Sequence, residues 1–126
     1  MATEPLIVDD IPRFAAVAGH EAPVPFFLTA DMFGGLDFAI AGGDISGLVD
    51  RPVADRHVHD VPEIYLLVAA APGDAVIEVE IDGAVREVVA PAAVYVPAGA
   101  VHRFVTRRAR PGSFCFGVLL TGGARS

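Results

Sequence analysis

Ten prolines and thirteen glycines are spread along the 126 residues, and they cut the chain into pieces too short for long helices. Proline removes a backbone donor and clashes inside a helix. No uninterrupted stretch carries a 3.6-residue hydrophobic period for more than two turns. Valine plus isoleucine outnumber leucine by 25 to 8, which favours strands, because β-branched side chains fit a pleated surface. Many short strands between turn signals predict a barrel or sandwich. The length is that of one domain, large enough for a core without disulfides.

The pieces can be read in order. Residues 1–25 hold four prolines and read as an extended arm, with 11–18 as its one candidate helix or strand. Two apolar segments over 26–40 flank Gly34-Gly35, a hairpin signal, and 41–47 reads as a loop. Residues 53–59 alternate so that Asp55, His57 and His59 share one strand face. After Pro62 the run 63–68 reads as a buried strand with Glu63, Tyr65 and Leu67 on one side. Asp82-Gly83 between alternating segments 77–81 and 84–89 is the strongest hairpin signal in the chain. Glu78, Glu80, Arg86 and Glu87 read as its solvated face. Strands over 94–96 and 100–105 follow, then a loop holding Arg107, Arg108, Arg110 and Pro111-Gly112, a last strand over 114–120 and a polar tail over 121–126.

Composition excludes several chemistries. The chain has no Lys, so imine chemistry and pyridoxal phosphate anchoring are ruled out. Its three serines lie outside any nucleophile-elbow pattern. The single cysteine, Cys115, cannot pair within the chain and suits a reducing compartment. A net charge of −7 argues against nucleic acid or an anionic membrane as partner. No basic n-region opens the sequence, and the longest apolar run, 64–71, is far short of a membrane span. These readings set the expectation of a cytoplasmic chain acting on a small molecule.

The remaining chemistry converges on one constellation, His57-x-His59-x-x-x-Glu63 with His102 on a later strand behind Pro97-x-Gly99. Three imidazoles and one carboxylate suit a borderline divalent transition metal, Fe(II), Mn(II), Ni(II) or Zn(II); magnesium and calcium would want more oxygen ligands. Glu63, at the start of an apolar strand, needs a partner: a metal, or failing that Arg51 or Arg56. His20 has no such context and reads as a surface residue.

Over 52–120 these two motifs closely resemble the two-part signature of the cupin superfamily. The resemblance implies a single cupin-type β-barrel (jelly roll, or double-stranded β-helix) over 26–120, preceded by the N-terminal arm. It implies one metal ion per chain held by His57, His59, Glu63 and His102. The chain departs from the pattern at turns: Arg51 stands where the first motif has its leading Gly and Ala70 where it has its closing one. Ala90-Pro91 replaces the Gly-Asp that opens the second motif, and Thr106 replaces its closing Asn.

An open metal site inside such a barrel implies an enzyme acting on a carbonyl, enol or hydroxy-acid substrate. The reaction would be oxygenation, placed slightly ahead, or Lewis-acid isomerisation, cyclisation, decarboxylation or lyase chemistry. The competing expectation is a non-catalytic cupin that senses a ligand or serves a biosynthetic enzyme. Tyr65 is the expected orienting group or general acid, and Glu63 a ligand that doubles as base. Alternation puts Asp55, Leu67 and Phe104, with Phe114 or Phe116, in the expected pocket. A homodimer is expected, with Phe26-Phe27-Leu28 of the arm either added to a partner or folded over its own barrel.

Overall fold

The computed structural model describes residues 6–122. Its regular structure includes β1 Arg13–Ala15, β2 Val24–Leu28, a 3-10 turn at Met32–Gly34, β3 Ala39–Asp44, β4 Glu63–Val68, β5 Ala75–Ile81, β6 Ala84–Val89, β7 Ala92–Val96, β8 His102–Ala109 and β9 Phe114–Leu119. The strands form two sheets of order β1-β2-β3-β9-β4-β7 and β6-β5-β8, and the named strand pairs are antiparallel. Between the sheets lies a core that includes Ile45, Leu67, Ile77, Val79 and Val96, each at most 2% exposed. No described helix is long and apolar enough to cross a membrane.

Local sequence explains the best-formed parts. Ile77 and Val79 of β5 point into the core while Glu78 and Glu80 face out. Asp82 and Gly83, with φ of 48° and 84°, close β5 and β6 in the paired left-handed conformation that Asp-Gly favours. The outward glutamates are held by arginines: Glu80 by Arg56 at 2.6 Å, Glu78 by Arg107 at 3.2 Å.

Three segments differ from their sequence expectation, and in a fourth one of two open alternatives is realised. Residues 53–59 form no strand; Ala54 bridges to His20 and His57 to His102, so neighbouring residues are held by different elements and no ladder develops. The loop expected over 41–47 is strand as far as Asp44. Gly42 makes this possible, because a Cβ there would run into the Cys115 carbonyl of β9. Arg107 and Arg108 lie within β8, not in a loop. The pairing steps from Ile77↔Thr106 to Val76↔Arg108, so Arg107 is the extra residue of a bulge and reaches Asp50 at 2.8 Å. Finally, β1 and β2 belong to the six-stranded sheet, with β2 paired to β3 of the same chain. Residues 1–5 of the arm and 123–126 of the tail lie outside the described residues.

Candidate metal centre and its cavity

The backbone joins the two motifs directly. His57 N–H donates to the His102 carbonyl at 3.1 Å and His102 N–H to the His57 carbonyl at 2.9 Å, a reciprocal pair that fixes the loop before β4 against the start of β8. The rings follow: the His57 and His102 centroids are 4.4 Å apart, and those of His59 and His102 4.7 Å. Glu63, the first residue of β4, brings Oε1 to 3.1 Å from His59 Nε2 and 3.2 Å from His102 Nε2. One ligand atom from each of His57, His59 and His102 lies within 4.8 Å of the other two. Thus the three imidazoles gather at one point, and Glu63 meets two of them.

The hydrogen bonds orient the rings for a cation. Each Nδ1 faces a backbone carbonyl: His57 to Asp55 at 2.8 Å, His59 to Val61 at 2.7 Å, His102 to Ala100 at 2.8 Å. In a neutral ring the Nδ1 hydrogen then goes to the carbonyl, and the Nε2 lone pair is left facing the other rings. For His59 and His102 that atom faces a carboxylate oxygen at about 3 Å, a contact that either a proton on the ring or a cation bound by both groups satisfies. Donor atoms on adjacent corners around an ion with bonds of about 2.1 Å fall about 3 Å apart, the separation Glu63 keeps. The donor set therefore fits a divalent transition metal. Without an ion the rings of His102 and His57 shift in opposite directions. Burial works against charge on His102, yet the Glu63 carboxylate and the Ala100 carbonyl outweigh it and raise its pKa. For His57 burial dominates and the pKa is lowered.

Gly117 of β9 makes room for the carboxylate. It sits opposite Tyr65 on β4, and a Cβ there would overlap Glu63 Oε2. With Glu63 committed to the imidazoles, Arg56 pairs with Glu80 instead, and Arg51 makes no ion pair with Glu63.

A cavity of about 600 Å³ opens beside the centre. His57, Glu63, Tyr65 and Phe104 line it, and the Tyr65 and Phe104 rings meet edge to face at 5.1 Å. Burial, with a smaller contribution from Glu63, pushes the Tyr65 hydroxyl well above its usual range, so it keeps its proton and can donate a hydrogen bond. The other expected pocket residues lie elsewhere. Asp55 is exposed, and only its carbonyl serves the site. Leu67 is 1% exposed within the core. Phe114 and Phe116 stack on each other on the outer face of the six-stranded sheet, because Cys115 and Gly117 take the inward positions of β9. Their bulk suggested the core, but the pleat allows only alternate residues inward.

Sequence reasoning also missed His20. It is half-buried, lines the cavity and stands 5.1 Å from His57, ring to ring, so all four histidines of the chain meet in one place. The Asp55 N–H to Gly19 carbonyl bond of 2.8 Å and the Glu21 N–H to Val53 carbonyl bond of 3.2 Å hold it there. Only the scarcity of histidine in the chain could have pointed to it.

No protein-family model matches the chain, and no curated protein matches it. Solved structures do. A cupin-like protein from Thermotoga maritima superposes with TM-score 0.58 at 12% identity over 95% of this chain and 85% of its own. A Cupin 2 conserved barrel domain protein from Salinispora arenicola superposes with TM-score 0.58 at 19% identity over 98% and 93%. A protein from Planctomyces limnophilus gives 0.57 at 19% identity over 92% and 89%. At such identities the likeness is one of fold, and that fold is the cupin barrel.

Proposed function

We propose that this chain, a cupin by fold, is a metal-dependent enzyme acting on a small organic substrate that carries a carbonyl, enol or hydroxy-acid group. The observation that carries the reading is the set of imidazoles whose Nδ1 atoms are tied to carbonyls, facing Glu63 at one wall of a cavity. A divalent transition metal held by His57, His59, His102 and Glu63 would supply Lewis acidity and, as Fe(II), reactivity towards dioxygen.

The chain's own residues do the rest. Tyr65 donates its hydroxyl hydrogen to a substrate oxygen and so orients it. Phe104 and the other apolar side chains of the wall give an apolar part of the substrate a surface to pack against. Glu63 has Oε2 in the space left by Gly117 and can take a substrate proton there. Oxygenation is placed slightly ahead of isomerisation, cyclisation, decarboxylation or lyase chemistry.

The test is metal content of protein purified without affinity tag or chelator, beside Glu63→Ala and His102→Ala. One metal per chain, lost in both variants, is the expected result; a wild type that cannot be loaded would overturn the reading. Substrate-dependent oxygen uptake after anaerobic Fe(II) loading selects oxygenation, and turnover without uptake selects Lewis-acid chemistry.

We also read the chain as a homodimer. Across the outer face of the six-stranded sheet, Ile40, Val118, Ile64 and Tyr95 form one row and Gly42, Phe116, Leu66 and Ala93 the next. Neither row carries a charge, and Leu66 and Tyr95 are 40% and 57% exposed. Contiguous apolar surface of this kind is rare on a monomer.

A further inference from the structure

The cavity wall has one feature that the metal chemistry leaves unused. Among the described residues Arg13, Arg56, Arg103, Arg107 and Arg110 each pair with a carboxylate, and Arg108 reaches the Gly73 carbonyl. Arg51 is exposed and also lines the cavity, and its guanidinium has no hydrogen bond or ion pair. It also stands where the related motif has a glycine, so the turn itself does not need its side chain. Arg86 is unpaired as well, but it lies on the exposed face of β6, away from the cavity.

The other charges on the wall are mostly committed. Asp44 accepts hydrogen bonds from the Ser46 N–H and hydroxyl at 2.8 and 2.7 Å. Arg103 faces Glu80 at 3.8 Å, and Glu63 belongs to the imidazoles. Arg51 remains as the unpaired cation of the wall, while Glu21 and Asp44, whose Ser46 partners are neutral, keep their negative charges. A divalent ion at the centre would favour an anion beside Arg51, because one carboxylate offsets only half its charge. A guanidinium also presents two parallel donors that match a carboxylate.

We propose that the cavity takes an organic acid whose apolar body fills the space beside Phe104 and whose carboxylate pairs with Arg51. This names the substrate class of the enzyme proposed above and rests on that reading. A volume of about 600 Å³ admits a drug-sized molecule.

Three naphthalene probes of equal size test this on the full chain loaded with Zn(II): 2-naphthoate, 2-naphthamide and 2-naphthylmethylamine. The chain has no Trp, so naphthalene fluorescence reports binding without overlap from indole. The expected result is that naphthoate binds about tenfold more tightly than the amide, the discrimination of one charge-assisted contact. Arg51→Gln brings the acid to the level of the amide while metal per chain and amide affinity stay unchanged, and Arg51→Lys keeps part of the preference. Equal binding of acid and amide, a preference that survives Arg51→Gln, tightest binding by the amine, or no binding by any probe would each overturn the proposal. Metal content on the same samples separates the two claims. An acid preference lost in Arg51→Gln in protein that takes up no metal supports Arg51 and removes the metalloenzyme, whereas one metal per chain without acid preference does the reverse.

Discussion

Gly117→Ala adds one methyl group at the point where β9 passes the Glu63 carboxylate. Its φ is not in the left-handed region and its neighbours in register, Ala41 and Tyr65, pair normally. Alanine is therefore compatible with the backbone, and by removing freedom from the unfolded chain it would stabilise by about 0.4–1 kcal/mol. The new Cβ meets Glu63 Oε2, the far end of a flexible side chain, so the carboxylate swings aside and the barrel stays intact. Glu63 then loses its place 3.1 Å from His59 and 3.2 Å from His102. Losing the orientation of a ligand typically lowers metal affinity by about 10- to 100-fold, or about 1.4–2.8 kcal/mol. Competition against a fluorescent chelator gives the affinity, and urea unfolding of the metal-free protein gives stability. The expected outcome is weaker metal binding with metal-free stability within about 1 kcal/mol of wild type. Unchanged affinity would refute the placement of Glu63 at the metal; a large loss of metal-free stability would refute the claim that only the carboxylate moves.

Other outcomes follow from the same geometry. Leu67→Ala empties a fully buried position between Ala92 and Cys115 and should cost about 3 kcal/mol in urea unfolding; a cost below about 1 kcal/mol would mean the core collapses onto the gap. Burial pushes the Cys115 thiol up to about 12, with Glu63 adding to it, so the native protein should react with thiol reagents at pH 8 only as fast as it unfolds. Because the folded state holds this proton more tightly, the associated stability is complete below the thiol's ordinary pKa of about 9 and is lost as pH rises towards 12, and Cys115→Ala should flatten that alkaline slope by about one proton. Light scattering should give twice the 13.1 kDa chain mass, and Leu66→Asp should reduce it to one chain; a wild-type monomer would remove the dimer.

The sequence by itself determined the local elements and the candidate metal-binding groups. Alternation in β5, the Asp82-Gly83 turn and the buried face Glu63, Tyr65, Leu67 were all legible, because each depends on residues close in the chain. The two histidine motifs were legible because the side chains that can bind a transition metal are few. What the tertiary structure decided involves segments far apart. His20 reaches His57 only because the arm is stitched to residues 53–55. Gly117 matters only because β9 lies beside β4, and Arg51 is set apart only because the other arginines near the cavity find partners on distant strands, Arg56 and Arg103 at Glu80. Phe114 and Phe116 face outward because strand parity is inherited from the register of β9 with β3 and β4, and two-residue alternation leaves no choice once that register is set. Residue type tells which side chains want burial or a metal, but which ones obtain it depends on pairing between distant strands.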